Sequence, residues 1–294
     1  MKKSYRNNQS LALEIVRGKW LIHDAANFRS VARKFLDREA VVQNATDADG
    51  KPRPQLCSMK GESFDVDTPD DLLPKEEQFV LVIPMHGCLT KYDNCMGVAT
   101  MEVVDILEQY RQDDSIIGFI LDIDSPGGSV AAVMPLVDEI RKIQETGKPI
   151  ICHVDDCCSA AYWIASQTDA IFTDNMLSMV GSIGAYCEIF DDRENKATGA
   201  KYVDIYAPQS SDKNRSYREA LDGKYELLQK ELSDTVEHFI SAVKAGRPDI
   251  QSDAEGVMSG AVFEAAKAID LGMVNGMARL EDCIEIVYVR ANSQ

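Results

Sequence analysis

The stretch Cys157-Cys158-Ser159-Ala160-Ala161-Tyr162-Trp163 decides how this chain is read. Before it, residues 149–154 form an apolar run with the length of a buried strand; after it, residues 162–166 read as the start of a helix. A serine at a strand-to-helix corner exposes its hydroxyl beside free helix N-terminal amides, the setting a nucleophile needs. The same place suits a plain helix cap, because serine is among the preferred N-cap residues. Both readings stand on these residues alone.

Working outward, the segment from residue 79 alternates strands with helices. Residues 79–83, 116–123, 150–154 and 170–172 read as strands, followed by 181–186 and 202–206. Helical spacing marks 98–111, then Val130, Val133, Met134, Val137 and Ile140, then 159–167. This alternation implies parallel pairing with right-handed crossovers, an α/β fold. Further on, Leu221, Tyr225, Leu228, Leu232, Val236, Phe239 and Val243 form one stripe of a long amphipathic helix that Gly246-Arg247-Pro248 stops. A short helix through Ile269 follows, with Gly272 after it, and residues 280–289 fit helix or strand. On the N-terminal side, Leu13, Val16, Trp20, Phe28, Val31, Ala32, Phe35 and Leu36 suggest two helices separated near His23-Asp24. The expected organisation is a helical extension over 1–43, a polar, proline-bearing linker over 44–78, and one α/β domain over 79–294.

Composition narrows the function. A net charge of −17 over 294 residues argues against nucleic acid as a partner, since phosphates would be repelled. The basic N-terminus is followed by no apolar run of signal-peptide length, and residues 116–121 are too few to span a bilayer. A cytoplasmic protein without membrane attachment is expected. None of the eight cysteines stands in a C-x-x-C pair, so no metal site or thioredoxin-type site is suggested, and no cofactor is expected.

A serine nucleophile needs a base, oxyanion donors and a groove. Gly127-Gly128 directly follows a strand, one strand–helix unit before Ser159. Glycines there can bring a ligand against the backbone, or can merely make a tight turn. With Ser159, two strand ends would offer the amides of Gly128 and Ala160 to one oxygen. Of the four histidines, His23, His86, His153 and His238, the second is the best candidate base, while His153 and His238 read as structural. Lys213, in the polar loop Ser210-Ser211-Asp212-Lys213-Asn214, would need burial. Bringing a lysine from its free pKa of about 10.4 down to ~7–8 takes about 4 kcal/mol of desolvation.

At this point the chain resembles a known family. Ile120-Leu121-Asp122-Ile123-Asp124-Ser125-Pro126-Gly127-Gly128 looks like the oxyanion segment of the signal-peptide peptidase A (protease IV) serine peptidases. Ser159-Ala160-Ala161-Tyr162-Trp163-Ile164-Ala165 resembles their nucleophile segment, with Ala-Ala where Gly-Gly is usual, as in phage and prophage members. Gly181-Ser182-Ile183-Gly184 is similar to a third motif, and Ala261-Val262-Phe263 through Leu271-Gly272-Met273-Val274 to a closing one. The likeness covers about residues 79–277. It implies a crotonase/Clp-protease-like spiral of ββα units, with Ser159 as nucleophile, Lys213 as general base and Ser182 holding the lysine amine. Gly128 and Ala160, beside Gly127, would line the oxyanion hole. It also implies a homo-oligomeric ring whose neighbouring subunits complete each site and supply the burial Lys213 lacks. Protein or peptide substrates follow, with phage scaffold or capsid proteins among them. Two other functions fit the same fold: a crotonase-type acyl-CoA hydratase or isomerase, and a non-catalytic assembly protein.

Overall fold

The computed structural model describes residues 20–22, 53–69, 72–74, 77–92, 97–189, 191, 193, 199, 201 and 203–293. In chain order the strands and helices begin with β1 (Trp20–Ile22), β2 (Gln55–Ser58), β3 (Ser63–Asp65), β4 (Phe79–His86), β5 (Cys88–Thr90) and β6 (Gly97–Ala99). Next come α1 (Thr100–Tyr110), β7 (Ile116–Ser125), β8 (Gly127–Ser129), α2 (Val133–Glu145), β9 (Ile150–Cys158) and α3 (Ala160–Ala165). The chain continues through β10 (Ala170–Thr173), β11 (Met179–Gly181), α4 (Arg215–Leu221) and α5 (Glu226–Gly246). It closes with β12 (Val262–Glu264), α6 (Ala265–Asp270), β13 (Gly276–Met277) and α7 (Leu280–Ala291).

The strands form two sheets. The larger runs β12-β11-β9-β7-β4-β2-β3, with β10 beside the first half of β9; the smaller runs β1-β8-β5-β6. Strands β4, β7 and β9 pair in parallel at its centre. Most of their residues are buried, on both faces of the sheet, which is why they read as apolar runs rather than alternating ones. After β4 the chain enters the small sheet through β5 and β6 and returns along α1. After β7 it enters the small sheet through β8 and returns along α2. This is the expected α/β spiral of ββα units. Leu136, Val137, Ile140 and Ile143, at helical spacing on α2, are buried in the same core as Leu121 and Val154 of the sheet.

Several expected boundaries move. The helix expected over 98–111 yields its first residues to β6. The strand expected over 181–186 ends at Gly181, and residues 203–206 join no strand. The ambiguous 280–289 stretch is α7, which sets Cys283, Val287 and Tyr288 against the second face of the sheet. Residues 55–65, expected within a loose connection, form a hairpin whose β2 pairs with β4 and buries Leu56 and Cys57. Polar turn residues around these short strands hid them from a reading by composition. The two helices expected over 10–40 lie outside the described residues, except that Trp20–Ile22 is a strand.

A polar cluster marks the second face of the sheet. His153 on β9 bonds the Asp122 carboxylate through Nδ1 at 2.7 Å and that of Asp174 through Nε2 at 3.2 Å. Asp122 also meets Nε2 of His86 at 3.2 Å. Burial opposes charging His153, but hydrogen bonds and attraction from Asp122 and then Asp174 outweigh it and raise the imidazole pKa. A pKa raised on folding contributes stability that is complete below the unfolded value of about 6.5 and fades as pH rises through the folded value. The stability gap between wild type and His153→Gln is therefore expected to be wider at pH 6 than at pH 9, read as a difference in Tm. An equal gap at both pH values would show that the cluster contributes no such linkage.

Candidate active site

Ser159 stands between β9 and α3 with φ 56° and ψ −119°, a conformation that side-chain-bearing residues rarely adopt. Although it occupies the N-cap position, its side chain makes no capping hydrogen bond. Its backbone is held on both sides, the amide donating to Gly181 O at 2.8 Å and the carbonyl accepting from Trp163 N at 2.9 Å. A strained backbone with an uncommitted hydroxyl differs from a cap, where a relaxed extended residue spends its oxygen on the helix. Of the two readings the corner left open, the capping one fails.

The strand that leads to the serine is irregular. Opposite β7, β9 advances three residues from Val154 to Cys157 while β7 advances two, from Ile123 to Ser125. The extra residue is a β-bulge, after which β9 runs in register with β11 through Asp156, Cys157 and Cys158 up to the serine. Cys157 and Cys158 beside it are fully buried. Burial raises both thiol pKa values, that of Cys158 to about 12 and that of Cys157 well above its ordinary value, so neither competes as a thiolate.

Three contacts pin α3 from behind. Trp163 stacks on Phe239 of α5, with centroids 4.7 Å apart and planes 7° from parallel. Tyr162 donates its hydroxyl to Met273 O at 3.0 Å. Arg247, directly after α5 and 6% exposed, donates to Ala165 O at 3.3 Å, to Thr168 O and to Asn275 Oδ1 at 3.0 Å. Sequence reasoning passed over this arginine as part of a helix stop; nothing local distinguishes a guanidinium that reaches into the core from one in water.

The glycine pair lies on β8, against which α3 packs. Gly127 has φ 106°, which only glycine adopts without strain. Its amide donates to Ser125 Oγ at 3.2 Å, so of the three amides expected at the oxyanion it is already engaged. Gly128 meets the protein's own backbone: a Cβ there would lie 1.9 Å from Leu89 O of β5. That closeness, expected for a ligand, is taken up by strand packing. The Ala160 amide opens α3 and has no acceptor within the helix.

Ser182 directly follows Gly181, the residue that accepts the Ser159 amide, so the two serines leave neighbouring parallel strands at the same end. Ser182 also has positive φ, 55°. Asn214 is the third non-glycine residue of this kind among those described, at φ 54°, immediately after Lys213. The Lys213 turn is braced: Asn214 Nδ2 donates to the Tyr206 hydroxyl at 3.3 Å, and the Arg218 guanidinium lies 4.5 Å from the Tyr206 ring centroid. Lys213 itself is exposed, and no hydrogen bond joins it to Ser159 or Ser182. One chain thus sets Ser159, Ala160 and Ser182 at one end of the sheet, with α3 packed against the strand that carries Gly128, and leaves Lys213 exposed. His86 and His153 belong to the face that continues from Ile151 beneath α7, whereas Cys157 and α3 pack in the main core; His238 is exposed on α5. Among the described residues no group of three or more His, Cys, Asp or Glu is placed to hold a metal ion.

Residues 142–292, from the end of α2 through β9, α3 and the closing segments to α7, match Peptidase family S49. The chain belongs to that family. It is 26% identical over 187 residues to Protease 4 of Haemophilus influenzae, a match covering 62% of this chain and 30% of that protein. It is 26% identical over 212 residues to Head-tail preconnector protein GP5 of Enterobacteria phage P21, covering 71% and 40%. Capsid assembly protease C of Escherichia phage lambda is 26% identical over 220 residues, covering 71% and 48%. The chain therefore spans less than half the length of these S49 relatives. The family match takes in Ser159, Ser182 and Lys213 but begins after Gly127 and Gly128.

Proposed function

We propose that this S49 chain is a serine endopeptidase in which Ser159 attacks the substrate carbonyl and Lys213 takes its proton. The observation that carries the proposal is the strained, non-capping Ser159 at a bulged strand end, since backbone strain of this kind persists where function demands it. In the proposed cycle the Ser159 oxygen bonds to the carbonyl carbon, and the oxyanion is held by the amides of Gly128 and Ala160. The lysine then returns its proton to the departing amine. Water, deprotonated by the same lysine, hydrolyses the acyl-enzyme. Ser182 would orient the amine.

Lys213 must then lose its contact with bulk water, and self-association is the proposed means. Val203 and Ile205, 77% and 92% exposed, precede the Lys213 turn, and Tyr225, half-exposed, follows it. Of the expected α5 stripe only Phe239 and Val243 are buried. The exposed Val203, Ile205 and Tyr225, beside a half-buried stripe on α5, support an oligomer, a ring in our reading, in which a second copy covers the turn. No helix among the described residues is long and apolar enough to cross a membrane. The two phage proteins among the relatives support an enzyme that trims scaffold or capsid proteins during assembly, which in our reading takes place in the cytoplasm.

The base assignment is tested on an unfolded protein substrate. Lys213→Ala is expected to lower kcat by at least about a thousandfold, as loss of one member of a catalytic unit does. His86→Ala is expected to remain active. The reverse pattern would move the base to His86.

A further inference from the structure

The small sheet ends in a strand from far away in the sequence. Among the described residues β1 pairs antiparallel with β8 alone, setting Trp20 opposite Ser129, Leu21 opposite Gly128 and Ile22 opposite Gly127. On its other side β8 meets β5, through Leu89 opposite Gly128. Without β1, then, β8 is the open edge of the small sheet, and that edge carries the amide assigned above to the oxyanion. Extended peptides bind such edges by adding a strand, with main-chain hydrogen bonds for affinity and side chains for selection. With β1 in place, all three residues of β8 are buried. A three-residue strand on one neighbour is also a weak attachment, because so short a ladder is marginal by itself.

We propose that residues 20–22 hold, in the resting protein, the β8 edge that an extended apolar substrate segment takes during hydrolysis. The N-terminal segment is thus an internal competitor for the substrate groove. This rests on the peptidase reading above and adds two things to it. The enzyme is restrained by its own chain, and the occupying sequence, Trp20-Leu21-Ile22, gives the substrate class: extended segments rich in aromatic and branched apolar residues.

The test compares the full-length wild type with Leu21→Pro, which removes a backbone donor and disfavours the strand, and with Leu21→Val, which keeps it. Two quantities are read: amide hydrogen exchange of residues 127–129 by mass spectrometry, and steady-state hydrolysis of an unfolded protein. Leu21→Pro is expected to speed exchange at 127–129 at least about tenfold and to lower KM severalfold with kcat unchanged, while Leu21→Val matches wild type. A synthetic peptide of residues 16–26 added to Leu21→Pro should restore protection and inhibit competitively. Unchanged exchange in Leu21→Pro, or faster exchange with unchanged KM, overturns the inference while leaving the peptidase reading intact. Faster exchange with no hydrolysis by any form, and no labelling of Ser159 by a fluorophosphonate, overturns the peptidase reading and the competition with it.

Discussion

Ser159→Ala is expected to lose hydrolysis of an unfolded protein by at least about a thousandfold, and to lose all labelling by a fluorophosphonate, while keeping the Tm of wild type. The loss follows from removing the atom that forms the acyl bond in the proposed mechanism. The unchanged Tm follows because alanine keeps the Cβ, and with it the strain at φ 56°, and because the Ser159 hydroxyl supports no capping bond. A companion variant separates strain from chemistry. Ser159→Gly also removes the nucleophile, but glycine accepts this backbone freely. Strain of about 1–3 kcal/mol is relieved against about 0.5–1 kcal/mol of extra chain entropy lost on folding. The net gain of roughly 1 kcal/mol should raise Tm by about 2–4 °C in a chain of this size. Two variants equally inactive but unequally stable would mark Ser159 as a residue held in tension for its reaction. Full activity in Ser159→Ala would end the mechanism; equal Tm values in the two variants would end the strain argument.

The second large effect is expected far from the reacting atoms. Arg247→Ala should lower stability by at least about 3 kcal/mol, read from denaturant midpoints, and slow the labelling of Ser159. Arg247 is buried, faces carbonyl and amide oxygens rather than a carboxylate, and its burial lowers the guanidinium pKa from its usual value. Hydrogen bonds from a charged donor contribute about 1.5–3 kcal/mol each; without Arg247 the buried Thr168 carbonyl loses its donor, while Ala165 O keeps Thr168 and Asn275 Oδ1 keeps the Ile171 amide. The Ala165 and Thr168 carbonyls lie at the exit of the six-residue α3, so loss of their bonds to Arg247 loosens the helix whose first amide is the proposed oxyanion donor. Arg247→Lys should recover little, because an ammonium cannot span three separated acceptors as the planar fork does. Stability equal to wild type in Arg247→Ala would show that α3 is held by the Trp163–Phe239 stack and Tyr162 alone.

The sequence by itself determined the elements whose physics is local. The apolar runs of β4, β7 and β9 declare strands buried on both faces, and the spacing on α2 declares a helix with one buried side. The motifs around Ser159, Gly128 and Ser182, in that family's order, were enough to point to an S49 chain. Tertiary structure alone decided that the corner serine does not cap its helix, because capping and strain differ in backbone angles and side-chain bonds that the residue type does not reveal. It likewise decided that Gly128 packs on Leu89, that Gly127 has its amide engaged by Ser125, and that Arg247 points inward. Each of these joins residues distant in sequence, or partners them through backbone atoms that carry no residue identity. The pairing of Trp20–Ile22 with β8 is the extreme case: Trp20, read as one position of a helical stripe, lies instead in a strand of three consecutive apolar residues, because an open sheet edge offered hydrogen bonds that local propensity could not foresee.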